Sequence, residues 1–341
     1  MTERYSRQVL FPPIGQNGQE VLRDKHVLII GAGALGAANA EMIVRAGVGH
    51  VTIVDRDYVD FSNLQRQNLY TEQDAIDRLP KAEAAQKRLA ALNSDVVIDA
   101  VTADADPEFF KNILSGSAVD LIIDGTDNFD IRFVINDAAQ KYAIPWVYGA
   151  CVASGGLSLF IIPGKTPCLH CLMDTIPQAG ATCDTAGIIS PAVQMTASAQ
   201  TAEALKWLTG NIDSLRGTIF SFDLWTNHFS SVDAAKLKKP DCPSCGANPV
   251  YPFLSYELST KFAVLCGRDT VQIRPSSIKK RDLQLLSESV ENSADITHKN
   301  AFLISFKKDT YTITAFQDGR VFIHGTSSID ESKKVYYQYF Q

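Results

Sequence analysis

The chain has 341 residues, 45% of them hydrophobic and 21% charged, with a formal net charge of −6; this is a globular composition with room for one large core and a second, smaller domain. The acidic balance excludes indiscriminate nucleic-acid binding, which needs an excess of Lys and Arg. No apolar run approaches the ~18 residues of a membrane span and the N-terminus opens polar, so no membrane association and a cytoplasmic location are expected. Seven cysteines, an odd count with two pairs at C-x-x-C spacing, do not read as a secreted disulfide framework and point to metal or thiol chemistry.

In chain order, a polar arm carrying Arg4, Tyr5, Ser6, Arg7 and Gln8 precedes a short helical stretch at 19–24. Two arginines in such an arm read as solvated surface when taken alone. An apolar run at 27–30 then enters Gly31-Ala32-Gly33-Ala34-Leu35-Gly36, followed by a small-residue helix over 34–46 and a second apolar run at 51–54 that ends at Asp55. This is a strand, a glycine turn, a helix and a parallel strand. Gly31 permits the tight turn, Gly33 lets the backbone approach a phosphate, and Gly36 lets the helix pack on the sheet. The free N–H groups at the helix start face an anion, and Asp55 is placed to accept ribose hydroxyls. The pattern names a nucleotide and no reaction, since nicotinamide and flavin enzymes use the same turn.

After Asp55 the chain departs from dehydrogenase habit. Asp57, Asp60 and Ser62-Asn63-Leu64-Gln65-Arg66-Gln67 form a polar loop at the carboxyl end of the second strand, where open sheets bind ligands. Arg66 offers a planar fork to phosphate oxygens and the amides add neutral donors. Lys81, after Pro80 and opening a helix through 91, supplies a second cation. A strand at 96–101, a helix at 107–114 and a strand at 119–124 lead to Gly125-Thr126-Asp127-Asn128. A carboxylate just past that strand is sited to hold Mg²⁺ beside a polyphosphate; Asp127 is the first candidate and Asp124 the second, with helix capping as the alternative use of such residues. A helix over 132–142 and strands at 145–152 and 156–162 follow.

Cys168-Leu169-His170-Cys171 and Cys242-Pro243-Ser244-Cys245 are two thiolate knuckles. Four thiolates complete a closed tetrahedral Zn²⁺ shell, which is a structural and not a catalytic arrangement. Redox chemistry is the rival, but neither pair sits in a thioredoxin-like strand-to-helix setting. Between them the small residues of 180–187 surround Cys183, which is either a reactive thiol or a small turn residue. Ser190 is the expected N-cap, with Pro191 first, of a helix running to 208, and 218–231 alternates like a strand pair. Beyond Gly246 short alternating runs, the Asp318-Gly319 turn and two helical stretches at 283–290 and 330–339 predict a small α+β domain over 249–341, read as a docking or dimerisation module.

Taken together, R-Y-S-R-Q, G-A-G-A-L-G, D-R-D, S-N-L-Q-R-Q, P-K, D-G-T-D-N, A-T-C-D-T-A-G and both C-x-x-C pairs make residues 1–248 resemble the ThiF/MoeB/HesA adenylyltransferases, the bacterial form of the ubiquitin-activating superfamily. The resemblance implies a Rossmann-like, doubly wound, mostly parallel sheet with an antiparallel extension. It implies ATP held by Gly31, Gly33, Ala34, Gly36, Asp55, Asp57, Ser62, Asn63, Leu64, Gln65, Arg66, Lys81, Asp127 and Asn128, with Mg²⁺ at Asp127 and Zn²⁺ on the four cysteines. Arg7 would reach across a two-fold interface into the partner's site, making a homodimer. The implied reaction joins the C-terminal glycine carboxylate of a ubiquitin-like sulfur carrier to the α-phosphorus of ATP, and Cys183 would serve sulfur transfer, with a sulfur-donor protein as a further partner. The carrier is ThiS-like, or alternatively MoaD-like. Ala34 departs from relatives with another glycine there, and the C-terminal segment, absent from short MoeB-type proteins, looks similar to extensions on Bacillus-type ThiF proteins. A nicotinamide dehydrogenase would share the glycine turn but not call for Arg66, Lys81 and a four-thiolate site. A non-catalytic scaffold would be expected to lack Arg66, Lys81 or Asp127.

Overall fold

The computed structural model describes residues 3–116, 118–173, 186–255, 262–264, 269–274, 280–291 and 293–340. The chain divides into two compact units, Met1–Tyr256 and Glu257–Gln341. In the first, helices α1 (Ser6–Val9), α2 (Gly15–Arg23), α3 (Ala34–Ala46), α4 (Glu72–Ile76), α5 (Lys81–Leu92), α6 (Pro107–Leu114), α7 (Phe129–Lys141), α8 (Leu169–Leu172) and α9 (Ser190–Leu208) accompany eight strands. The strands are β1 (His26–Ile30), β2 (His50–Val54), β3 (Val97–Val101), β4 (Leu121–Asp124), β5 (Trp146–Val152), β6 (Gly155–Ile161), β7 (Thr218–Asp223) and β8 (His228–Asp233).

They form one sheet in the order β3-β2-β1-β4-β5-β6-β7-β8. Pairing is parallel from β3 to β5 and antiparallel from β5 to β8, as a doubly wound sheet with an antiparallel extension. Strand alternation explains the two-sided core. Val27, Ile29, Val51, Ile53, Leu121 and Ile123 face α3, α5 and α9, whereas Leu28, Ile30, Val54, Ile122 and Trp146 face α6, α7 and α8. Among the described residues no helix is long and apolar enough to cross a membrane.

Three local expectations change. The helix expected from 132 begins at Phe129 because Asn128 caps it, its Oδ1 accepting the N–H of Asp130 at 2.7 Å. Ser190 is the first helical residue and not the cap: the N–H of Ile189 is held by the carbonyl of Ala153 at 3.0 Å, so a tertiary contact sets the helix start one residue earlier. In the second unit, β9 (Phe262–Val264), β10 (Thr270–Ile273), β11 (Asp295–Lys299), β12 (Leu303–Lys308), β13 (Tyr311–Phe316) and β14 (Val321–His324) form an antiparallel sheet in the order β11-β12-β13-β14-β10-β9. The strand β11 has no counterpart in the sequence reading. It is an edge strand carrying Asp295, Thr297 and Lys299 outward, so its hydrophobic signal is weak. Helices α10 (Leu283–Val290) and α11 (Ile329–Tyr339) pack on the face bearing Val271, Ile273, Ile304, Phe306, Ile313 and Ile323.

At the amino ends of β1 and β2 the His26 and His50 rings stack with centroids 3.7 Å apart. His26 Nε2 lies 2.9 Å from Thr52 Oγ1 and His50 Nε2 2.7 Å from Asp99. Burial, followed by the neighbouring His50, lowers the His26 pKa to about 4 from 6.5. The folded value lies below the unfolded one, so the unfolded chain takes up the proton first and stability falls as pH drops from 6.5 towards about 4. Urea unfolding should therefore show a lower midpoint at pH 5 than at pH 7, and His26→Gln should reduce that difference. An identical pH dependence in the variant would contradict this account.

Candidate active site

The site is built at the carboxyl ends of β1, β2 and β4. Gly31 has φ +89°, a left-handed value that favours glycine, and its N–H is held by the Val54 carbonyl at 2.8 Å. A Cβ at Gly36 would lie 1.8 Å from the Gly31 carbonyl oxygen, and one at Gly31 would lie 2.8 Å from that of Gly125. These two glycines are demanded by packing. Gly33 is different: a Cβ there would meet only the Gly125 carbonyl oxygen, at 3.9 Å. Its φ of −70° is one any residue adopts, so the protein itself does not require glycine at 33. The open space lies at the start of α3, where no side chain caps the helix and the first N–H groups, including that of Ala34, are available to an anion.

Asp55 accepts the N–H of Ala32 at 2.6 Å and of Asp57 at 2.7 Å. Burial pushes its carboxyl above the ordinary range, against the pull of Lys81. Lys81 opens α5, is 5% exposed, and places Nζ 3.0 Å from Asp57 Oδ2. Asp57, expected among the nucleotide contacts, is thus engaged in holding that lysine. In the loop, the Asp60 carboxylate takes the N–H and hydroxyl of Ser62 at 2.9 and 2.7 Å, and Asn63 Oδ1 takes the Asp60 N–H at 3.1 Å. Asn63 is buried by this reciprocal cap, Leu64 is half-buried and Gln65 is exposed. Arg66 donates to the Ser62 carbonyl at 2.8 Å and has no carboxylate partner among the described residues.

Asp127 stands exposed at the end of the turn after β4, close enough to Arg56 and Arg132 to act on both electrostatically. Asp124, the second candidate, has both carboxylate oxygens engaged by protein groups. It is fully buried, its Oδ1 accepting the Thr126 N–H and hydroxyl at 2.9 and 2.6 Å and its Oδ2 the Arg132 Nε at 3.1 Å. Sequence reasoning missed Arg132 and Tyr70. The Tyr70 hydroxyl donates to the Ala32 carbonyl at 2.5 Å, bracing the glycine turn. An arginine inside a largely apolar helix was the one available signal; an aromatic in a loop is indistinguishable from ordinary core. Arg7 is not brought to this crevice within its own chain. Tyr5, beside it, accepts from Asn93 Nδ2 at 2.7 Å, and Gln8 donates to the Ala46 carbonyl at 2.9 Å. Both anchors lie at the far ends of α5 and α3, a helix length of ~20 Å away. Cys183 lies outside the described residues.

The cysteine pairs meet in one centre. Sγ separations are 3.9 Å for Cys168–Cys171, 3.6 Å for Cys168–Cys242 and 3.4 Å for Cys171–Cys245, and all four sulfurs lie within 4.8 Å of one another. A tetrahedral Zn²⁺ with Zn–S of about 2.3 Å places sulfurs ~3.8 Å apart, so the donor set fits zinc in number, chemistry and spacing. Burial, compounded by the neighbouring thiols, pushes Cys168 well up and Cys245 up to about 12. Four thiolates cannot share this space without a cation to balance them. The Lys239 N–H, 3.4 Å from Cys171 Sγ, adds an outer donor. Metal analysis of freshly purified, reduced protein should find one zinc per chain, and Cys242→Ala should lower the thermal midpoint by roughly 5–10 °C. Absence of zinc would refute the assignment.

Three comparisons bear on this geometry. The ThiF family model matches residues 5–244. The sulfur carrier protein ThiS adenylyltransferase of Bacillus subtilis is 52% identical over 99% of this chain and 99% of its own length. The molybdopterin-synthase adenylyltransferase of Escherichia coli is 34% identical over 71% of this chain and 96% of its own length. A solved structure of Escherichia coli MccB with ATP superposes with a TM-score of 0.61 at 20% identity, covering 72% of this chain and 74% of that one, a likeness of fold. With its glycine turn, its cation-bearing crevice and its joined cysteine pairs, the chain belongs to the ThiF family.

Proposed function

We propose that this protein adenylates the C-terminal glycine of a ThiS-like, ubiquitin-like sulfur carrier with ATP, giving carrier acyl-adenylate and pyrophosphate and so activating the carrier for thiocarboxylate formation. The observation that carries this reading is the end-to-end match to the Bacillus subtilis ThiS adenylyltransferase, which includes the C-terminal unit. The molybdopterin-synthase relative covers 71% of this chain, against 99% for the ThiS adenylyltransferase, which leaves a MoaD-like carrier as the second reading. A sulfur-donor protein and a cytoplasmic setting belong to the same proposal.

The carboxylate and the triphosphate are both anions, so the chain's task is to bring them in line and balance their charge. Gly33 and the uncapped start of α3 would receive phosphate, Asp55 the ribose, and Asn63, Arg66 and Lys81 the remaining phosphate oxygens. Asp57 keeps the lysine extended towards them. Asp127 would hold Mg²⁺, which when bound neutralises charge on the leaving pyrophosphate. Arg7 would come from a second copy of the chain: its own crevice is a helix length away, and the exposed Leu10 and Phe11 beside it suit a face covered in a homodimer. Cys183 would act after adenylation, in sulfur transfer.

Carrier-dependent ATP–pyrophosphate exchange tests the reaction. Exchange with a ThiS-like carrier and not with a MoaD-like one is expected; exchange with neither would sink the proposal. Asp127→Ala should lose exchange while keeping the fold, and Cys183→Ser should retain it. Mixing unfolded and co-refolded Arg7→Ala and Asp127→Ala chains should restore about a quarter of wild-type activity, because half of random dimers are mixed and each holds one complete site. Full exchange by Arg7→Ala alone would place Arg7 outside the reaction, and two inactive variants with no recovery on mixing would overturn its supply from a second copy.

A further inference from the structure

The helix α7 carries buried polar side chains along its length that adenylation chemistry does not use directly. At its start lies Arg132, 4% exposed, between the rings of Phe129 and Tyr148 at 5.1 and 5.3 Å. Its Nε meets Asp124 Oδ2 at 3.1 Å, and its Nη2 donates to the carbonyls of Thr126 at 2.7 Å and Gly149 at 3.1 Å. Asp124 in turn holds the Thr126 N–H and hydroxyl. Thr126, the residue directly before Asp127, is therefore gripped at its N–H, hydroxyl and carbonyl. Any shift of Arg132 re-aims Asp127.

One turn further along, ~6 Å, α7 grips both cysteine knuckles. Asn136 is fully buried and its Oδ1 accepts the N–H of Leu169, between Cys168 and Cys171, at 2.8 Å. Asp137 is also fully buried, with the Ser244 hydroxyl, between Cys242 and Cys245, close enough to favour its charged form, and Ser244 Oγ lies 3.0 Å from His170 Nδ1 on the other knuckle. Asp137 also takes the Phe253 N–H at 2.8 Å. Phe133, on the same helix, stacks on Phe253 at 4.6 Å and meets the edge of His170 at 5.6 Å. The links are buried and part-buried hydrogen bonds and ring contacts that converge on one helix, so a shift at one end strains the other.

We propose that α7 thermodynamically links the four-cysteine centre to the nucleotide crevice, with Arg132 as the positioning residue for Asp127 and Asn136 and Asp137 as the grip on the metal knuckles. This rests on the adenylation reading, because it takes the Asp127 turn as part of an ATP site. Linkage is reciprocal: ATP with magnesium bound at the Asp127 turn holds α7 in the position that suits the cysteines and slows loss of zinc. Loss of zinc in turn weakens ATP binding.

The test measures zinc release from the full-length zinc protein into excess 4-(2-pyridylazo)resorcinol, with magnesium alone and with magnesium plus ATP, while equilibrium dialysis measures ATP binding separately. ATP should slow release by about fivefold or more. Arg132→Lys, which keeps the charge and loses the fork, should abolish that slowing and raise the magnesium requirement of exchange. The slowing is read for each protein as the ratio of release rates without and with ATP, so a change in the variant's nucleotide-free rate does not enter it. Equal release with and without ATP, in wild-type protein that binds ATP, overturns the linkage. Full slowing in Arg132→Lys overturns the route through Arg132. Failure to bind ATP at all overturns the adenylation reading and the linkage with it.

Discussion

The rest of this structure depends on a contact between backbones. Gly31, Gly36 and Gly125 bring the turn after β1, the first turn of α3 and the end of β4 so close that a Cβ at Gly36 would fall 1.8 Å from the Gly31 oxygen. One at Gly125 would fall 2.6 Å from the Gly36 Cα. No side chain could fill that gap without driving the strands apart. Because the three segments touch, the uncapped start of α3 and the turn bearing Asp127 become two walls of one crevice. The open position at Gly33 lies within it.

Charge is distributed around that crevice by burial. The Asp124–Arg132 and Asp57–Lys81 pairs are removed from water, which costs several kcal/mol per ion before the mutual attraction is counted. Such pairs are weak evidence for stability and stronger evidence for geometry. Here each pair fixes a direction: Asp57 sets the reach of Lys81, and Arg132 sets the carbonyl of Thr126. Arg66 and Asp127, by contrast, have no ion-pair partner within 4.0 Å among the described residues, although Asp127 still acts electrostatically on Arg56 and Arg132. Oriented charge of this kind requires no reorganisation when charge develops during a reaction.

The helix α7 binds these features into one body. Its first turn is capped by Asn128 next to the candidate metal carboxylate, and its middle holds the N–H of Leu169 between the first pair of cysteines and that of Phe253 beyond the second. A closed four-sulfur centre does no chemistry of its own, yet one of its knuckles is held by the helix that also holds the turn before Asp127.

Much was legible in the amino-acid sequence because it depends on neighbours in the chain. The continuous apolar runs at β1, β2 and β4, the glycine spacing, and the C-x-x-C pairs each encode an element or a donor pair within a few residues. Asp55 and Lys81 follow from their places at the ends of those elements. What only the tertiary structure decided is which distant groups meet. The two cysteine pairs, 74 residues apart, converge because α8 and the segment after β8 pack against α7. Asp124 rather than solvent satisfies Arg132 because β4 ends beneath it, and Ile189 rather than Ser190 ends the chain's approach to α9 because Ala153 holds it. Arg7 lies at the opposite end of the sheet from its own crevice because Tyr5 and Gln8 are tied to the ends of α5 and α3. Local pattern specifies which face of an element is apolar; only packing specifies what that face, and the polar residues beside it, will touch.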